Sequence, residues 1–283
     1  MGYSRKDLKD YGLGTNNGIY VIAEIGINHM GDIDSARNLI GSARRAGADA
    51  VKFQTYVTER RTHKGSPIFD ILKRCELPFE AFRELKDYSS SLDIEFFSTP
   101  FDAESVDFLE SIGCRIYKVS SFDVTNHALL SRVAATGKTV MMSVGMANMG
   151  EIQDAYNILK GGTSKVALLH CISAYPSRPE DANLAAIYVL KEKFDCLIGQ
   201  SDHTNDIVIP LYAASAGAQV VEKHYKIDER MDCVDAAVSI TEKQMAGMVE
   251  EMRKLDKALG RGELGVRPAE KGCEIFRRKA GAR

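Results

Sequence analysis

No apolar stretch in this chain approaches the length of a membrane span. Its first residues, MGYSRKDLKDYG, lack the hydrophobic centre of a secretory signal. Six cysteines are scattered along it (Cys75, Cys114, Cys171, Cys196, Cys233, Cys273) and none forms a CxxC pair. Several sit in apolar runs, where cysteine behaves as a small hydrophobe, so all six are expected as reduced thiols of a cytoplasmic protein. Charge of neither sign dominates: the formal net charge is −2, with acids and bases interspersed, which leaves no electrostatic footprint for nucleic acid or an anionic membrane. What remains is a chain of 283 residues, 45% hydrophobic and 27% charged, enough for a soluble domain with a sizeable core.

The chain alternates. Residues 1–18 read as a polar arm and residues 261–283 as a basic, glycine-containing extension. Between them, from residue 19 to 260, eight short apolar runs have the composition of strands buried on both faces: 19–25, 49–54, 94–98, 115–119, 139–143, 165–170, 196–198 and 219–221. Each is followed by a segment of helical spacing, at 32–46, 78–91, 103–112, 126–136, 149–160, 183–193, 207–216 and 241–259. Strict βα alternation implies a parallel sheet, and eight units of this size predict an α/β fold of the (β/α)8 TIM-barrel type. A doubly wound open sheet is the alternative. It would carry a glycine-rich phosphate fingerprint after the first strand, and Gly26-Ile27-Asn28-His29-Met30-Gly31 does not fit one. The connection from Thr55 to Leu77 is long, charged and irregular, as functional lids often are.

In a barrel the chemistry lies at the carboxy-terminal strand ends. Glu24, Lys52, Lys118 and Glu222 interrupt apolar strands there. Charged residues are rarely buried unless paired, and four at corresponding ends point to a polar cavity. Two lysines, with Thr99, Ser121, Ser143 and Ser201 nearby, suit an anion carrying phosphate or carboxylate. His203 and His224 close two consecutive strands and can converge on a divalent ion, with a carboxylate such as Asp202 in support. An ion there would polarise a carbonyl, so the combination suggests an aldol-like addition of a phosphorylated nucleophile to an aldehyde. Taken singly, each histidine also reads as a satisfied strand-end residue. His170 reads as structural, His29 as ordering its loop, and His63 and His127 as surface residues.

The ordered segments YVIAEIGINHMGDIDSARNLIGSARRAGADAVKFQTY, FFSTPFD, YKVSS, MSVGM, LHCISAYPS, GQSDHT and VVEKHY resemble the sialic acid synthase family, also called nonulosonate synthases, from about Ile19 to Leu259. The resemblance implies that His203 and His224 hold a manganese or magnesium ion. It places Lys52, Thr99, Lys118, Ser121, Ser143, Ser173 and Ser201 on phosphoenolpyruvate, and Glu24, Gln54, Tyr175 and Asp235 on an N-acylated amino-sugar aldehyde. The implied reaction joins C3 of phosphoenolpyruvate to the sugar carbonyl, after which water adds at C2 and phosphate leaves. A homo-oligomer, a dimer, is expected.

The sequence departs from the family pattern in three places. Ser173 stands where members usually carry asparagine. Asp235 is followed by Ala236-Ala237-Val238-Ser239 where many have histidine. Members also add an antifreeze-like carboxy-terminal domain, whose arginine reaches the partner subunit's sugar, and this sequence stops where its linker would begin. Either the chain is a shortened form, or its substrate does not need that contact, or Arg60, Arg61 or Lys64 of the long connection replaces it. Two other readings remain open: a Schiff-base aldolase using Lys118 or Lys52, and a catalytically weak barrel serving a separate partner.

Overall fold

Eight strands close into a parallel barrel in chain order: β1 (Tyr20–Gly26), β2 (Ala50–Thr55), β3 (Glu95–Pro100), β4 (Ile116–Val119), β5 (Thr139–Ser143), β6 (Val166–Cys171), β7 (Leu197–Asp202) and β8 (Val220–His224), which pairs back onto β1. This is the (β/α)8 barrel, and the open sheet is excluded because the edges pair. The computed structural model describes residues 5–14, 18–260 and 262–278. Residues 1–4 and 15–17 of the arm, and 261 and 279–283 of the extension, lie outside the described residues.

The helices are α1 (Ile33–Arg45), α2 (Thr58–Arg61), α3 (Phe69–Cys75), α4 (Phe79–Ser91), α5 (Ala103–Ser111), α6 (His127–Ala134), α7 (Met149–Gly162), α8 (Ala186–Lys193), α9 (Val208–Ser215) and α10 (Glu242–Leu259). Every helix expected from periodicity is present. The connection from Thr55 to Leu77 is not irregular, however: it holds α2 and α3. With 4 and 7 residues, neither is long enough to display a 3.6-residue pattern. Tertiary contacts hold them instead. Thr58 N donates to Glu76 Oε2 at 3.0 Å and Tyr56 OH donates to Leu72 O at 2.9 Å, over buried Leu72 and Cys75.

Side chains alternate across each strand, which builds two separate cores. Outward residues such as Val21, Ala23, Ile25, Val51 and Phe53 pack against the helices. Inward residues Tyr20, Ile22, Ala50, Phe97, Ile116, Met141, Leu169, Leu197 and Val220 fill the lower barrel. Leu8, Tyr11 and Leu13 of the arm plug its lower end, and Thr139 Oγ1 donates to Tyr11 O at 2.6 Å. Gly199 belongs to this packing: a Cβ there would lie 2.4 Å from Val220 O and 2.5 Å from Leu169 Cδ2, so the site admits only glycine.

Strands β7 and β8 run further than their apolar runs, through Gln200-Ser201-Asp202 and Glu222-Lys223-His224. Polar residues continue the strands because the barrel supplies neighbours on both sides to pair with. Pro268–Phe276 of the extension forms an exposed 3-10 helix. Five of the six free cysteines are buried. No described helix is long and apolar enough to cross a membrane.

Candidate active site

Above the apolar filling, the same inward parity delivers charge. Glu24 follows Ile22, Lys52 follows Ala50, Lys118 follows Ile116, and Glu222 follows Val220. Thr99, Ser143, Cys171 and Ser201 complete this layer, and Gln54, His203 and His224 stand one step higher. Together with Arg61, Ser121, Tyr175 and Asp235 these side chains line a cavity of about 210 Å³ at the carboxy-terminal face. A larger hollow of about 980 Å³ opens at the opposite end. Its charges already engage one another, Arg253 with Asp49 at 2.7 Å and Arg115 with Glu95.

In the upper cavity the ion pairs are incomplete. Lys52 Nζ lies 2.9 Å from Glu24 Oε2 and 3.7 Å from Glu222 Oε2, and Lys118 Nζ lies 3.6 Å from Glu222 Oε1. Lys52 also donates to Thr99 Oγ1 at 3.1 Å, and Ser201 Oγ donates to Glu222 Oε1 at 2.8 Å. All four charged groups are buried. Among the described residues, Ser143 Oγ and Glu222 Oε2 have no hydrogen-bond partner. Buried polar atoms are rarely left so without a ligand or water to satisfy them.

The two carboxyls are driven apart. Burial raises Glu24 above the ordinary carboxylate range by more than Lys52 lowers it. Burial acts on Glu222 in the same sense, but Lys118, Lys52 and the Ser201 hydroxyl outweigh it and hold Glu222 down to about 2. Burial lowers Lys118. It opposes charge on Lys52 too, but Glu222 and Glu24 outweigh it and raise that ammonium.

His203 and His224 face each other with ring centres 5.3 Å apart. His203 Nδ1 bonds to Ile172 O at 2.7 Å, which leaves Nε2 free for a ligand. His224 Nδ1 is buried and lies 3.3 Å from Asp235 Oδ2. Asp235 is itself held by Asn28, whose Oδ1 accepts from Asp235 N at 2.9 Å. Imidazoles braced by a carbonyl and a carboxylate are the usual setting of metal-binding histidines. Among the described residues no group of three or more His, Cys, Asp or Glu side chains is arranged to hold an ion alone. The pair therefore fits part of a coordination shell that water and substrate oxygens would complete. Imidazole suits manganese better than magnesium.

Other residues fall into place by parity. Asp202 and Lys223 have the opposite parity to Ser201 and Glu222 and point away from the cavity. They form a buried pair at 2.8 Å between sheet and helices, so Asp235 rather than Asp202 is the carboxylate beside the histidines. His170 also points outward and bonds Ala182 O at 2.8 Å. His29 packs on Phe53, and burial lowers it to about 4. His63 and His127 are exposed. Tyr175 lies over His203, ring centres 4.1 Å apart. Ser173 is not among the lining residues; its Oγ sits 3.8 Å from Cys171 Sγ. Gly26, at φ +55°, ends β1 where a Cβ would come 3.1 Å from Glu24 Oε1 and 3.3 Å from Gln54 Nε2.

Sequence reasoning missed Cys171, whose Sγ is 3.5 Å from Ser121 Oγ and 3.9 Å from His203 Nδ1. The alternation Ala167, Leu169, Cys171 could have placed it inside. It also missed Phe101, Phe122 and Asp123, which loops bring to the rim or near it.

A closed (β/α)8 barrel with paired lysines, hydroxyls and two imidazoles at its carboxy-terminal mouth has the donors that an anionic ligand would need. Residues 39–264 match the NeuB family, and the chain belongs to it. The N,N'-diacetyllegionaminic acid synthase of Campylobacter jejuni is 36% identical over 91% of this chain and 83% of its own. The mouse N-acetylneuraminate-9-phosphate synthase is 32% identical over 92% and 77%. A crystal structure of N-acetylneuraminic acid (sialic acid) synthetase from Leptospira borgpetersenii, with citrate, superposes with a TM-score of 0.90 at 39% identity, covering 93% of both chains. Like these synthases, the protein is an enzyme of the transferase class that forms a carbon–carbon bond.

Proposed function

We propose that this protein condenses phosphoenolpyruvate with an N-acylated amino-sugar aldehyde, giving a nonulosonic 3-deoxy-2-keto acid and phosphate. The observation that carries the reading is the buried layer of Glu24, Lys52, Lys118 and Glu222 with its unpartnered Ser143 and Glu222 oxygens, directly below two braced histidines. Lys52, Thr99, Lys118, Ser121, Ser143 and Ser201 offer ammonium and hydroxyl donors to the phosphate and carboxylate of phosphoenolpyruvate. Ser173, behind Cys171, reaches that anion only through a water or a shift of its loop. A manganese ion held by His203 and His224 would polarise the aldehyde carbonyl.

The chain's own groups divide the proton work. Glu24, shifted toward its neutral form, stands across from His224 in the β1–β8 register and can donate a proton to the aldehyde oxygen as C3 of phosphoenolpyruvate bonds to the carbonyl carbon. Glu222 stays ionised and favours the charged form of both lysines. Water then adds at C2 with loss of a proton, the C2–O bond breaks with its electron pair going to the departing phosphate, and the added hydroxyl gives up its proton to become the 2-keto group. Gln54, Tyr175 and Asp235 form the wall that faces the sugar. The named relatives are synthases of different acids, N,N'-diacetyllegionaminic acid and N-acetylneuraminate 9-phosphate, so the family reading leaves the sugar open.

The test is phosphate release from phosphoenolpyruvate across a panel of amino sugars, with and without chelator. Sugar-dependent, chelator-sensitive release is expected. The burial that lowers Lys118 would also suit an amine nucleophile. Borohydride trapping of pyruvate on Lys118, with no use of phosphoenolpyruvate, would therefore replace this reading with a Schiff-base aldolase.

A further inference from the structure

Arg61 is the cation in the cavity that no carboxylate matches. Lys52 and Lys118 pair with Glu24 and Glu222, whereas Arg61 has no carboxylate within ion-pair distance among the described residues. It is nevertheless held firmly. Its guanidinium lies 3.5 Å from the Phe101 ring centre and 4.7 Å from that of Tyr56, and Nη1 donates to Gln54 Oε1 at 2.9 Å. The helix that carries it is tied down at Val57 N by Asp102 Oδ2 at 3.1 Å and at Thr58 N by Glu76 Oε2 at 3.0 Å. A guanidinium stacked on two rings presents its remaining N–H edge in a fixed plane. Its two neighbours behave differently: Arg60 pairs with Glu104 on the surface, and Lys64 is exposed.

The position limits what it can hold. Gln54 donates from Nε2 to Glu24 Oε1 at 3.4 Å, so Arg61 stands two hydrogen bonds from the carboxyl assigned to the aldehyde oxygen. That is the reach of a substituent close to the reacting carbon. Asp123 and Asp235 are near enough to interact electrostatically with Arg61 and disfavour a phosphate dianion there. Phe101 lies against it, and Phe122 and Ile27 add apolar surface to the same cavity. A neutral carbonyl with a small apolar tail meets all three conditions.

We propose that Arg61 is a specificity-determining residue that binds the acyl oxygen of the sugar's 2-N-acyl group, with the acyl methyl against Phe101 and Phe122. The proposal rests on the condensation reading above, and it makes the chain's own second βα connection the selector of N-acylated sugars.

The test compares wild type, Arg61→Ala, Arg61→Lys and Arg60→Ala on three sugars: the best 2-acetamido hexose from the panel, its 2-hydroxy counterpart, and the 6-phosphate of the acetamido sugar. Arg61→Ala should raise KM for the acetamido sugar about ten- to a hundredfold. The loss in kcat/KM should be at least about tenfold larger for the acetamido sugar than for the 2-hydroxy sugar, and it should be the same with and without the 6-phosphate. Arg61→Lys should restore part of the discrimination, and Arg60→Ala should show none of the loss. Thermal melting separates misfolding from a binding defect. Unchanged preference for the acetamido sugar in a folded Arg61→Ala protein overturns the proposal while leaving the reaction intact. A loss confined to the phosphorylated sugar overturns it in favour of phosphate recognition. Absence of phosphate release from wild type with any sugar overturns the reaction and this proposal together.

Discussion

Two buried charge clusters lie one residue apart on the same two strands, and they are built to opposite ends. Asp202 and Lys223 face outward, between barrel and helices. Asp202 accepts from Lys223 Nζ at 2.8 Å, Thr204 Oγ1 at 2.6 Å, Thr204 N at 3.1 Å and Gln200 Nε2 at 3.2 Å, and Lys223 also donates to Thr204 O. That network is closed around Asp202: both its oxygens are engaged, although Gln200 Oε1 beside them has no hydrogen-bond partner among the described residues. Ser201 and Glu222 face inward; Glu222 accepts from Ser201, lies 3.6 and 3.7 Å from two lysines, and has one carboxylate oxygen without a hydrogen bond among the described residues. That network is open. A buried carboxylate with both oxygens engaged holds structure, whereas one with a spare oxygen facing a cavity is arranged for something that arrives. The charges and burial are alike, so only satisfaction distinguishes the two.

The comparison can be broken at its most sensitive point first. His203→Ala or His224→Ala should remove activity by at least about a thousandfold, since polarising the carbonyl is worth several kcal/mol, while the melting temperature stays near wild type. Calorimetric titration with manganese should show the loss of binding directly. A His203→Ala protein that keeps full activity without metal would remove the histidines from the site.

Next in size is the closed cluster. Lys223→Met strands Asp202 without its cation and should cost about 3–5 kcal/mol of stability by denaturant unfolding. If the variant is as stable as wild type, the outward pair does not hold the β7 loop as described. For the open cluster the effect should move from stability to binding. Lys118→Ala should raise KM for phosphoenolpyruvate about ten- to a hundredfold, the value of about 1.5–3 kcal/mol for a charge-assisted contact, and leave KM for the sugar nearly unchanged. Movement of the sugar KM alone would mean that the anion lies elsewhere.

The smallest effect should be a slope. Glu222 is held from 4.5 down to about 2 in the folded protein. Its contribution to stability is therefore fully present above 4.5 and is lost as pH falls toward 2. Glu24, raised by burial, contributes with the opposite sign: it favours the fold at low pH and ceases to as pH rises through its folded value. Glu222→Gln should flatten the acid side of a melting-temperature profile between pH 4.5 and 2, and Glu24→Gln should not. Parallel profiles for Glu222→Gln and wild type would contradict the open network as drawn.

Much of this was legible in the residues. Eight apolar runs alternating with eight amphipathic segments sufficed for the barrel, because strands that are apolar on both faces need cover on both, and a parallel barrel ringed by its own helices supplies it. Polar intruders at their ends sufficed for a cavity. The direction of Asp202 was not legible. Its apolar run ends at Ile198, and only pairing with β8 shows that the strand continues and that Asp202 falls on the outer parity. Nor were α2 and α3, whose lengths are below one period of reliable pattern. Arg61 was one candidate of three in a charged stretch, and nothing local separates it from Arg60.

The order of strands and helices, the inward or outward parity along each apolar run, and hence the chemistry each strand could deliver were readable from the residues alone, because they follow from backbone geometry and the cost of burying polar groups. The partners of those groups come from the folded arrangement. Whether a buried lysine is matched by a full set of acceptors or a partial one depends on residues distant in the chain: Glu222 reaches back to Lys52 and Lys118, and Arg61 to Phe101. Closure of the barrel brings them together, and hydrogen-bond satisfaction over a few ångströms separates a structural ion pair from a site.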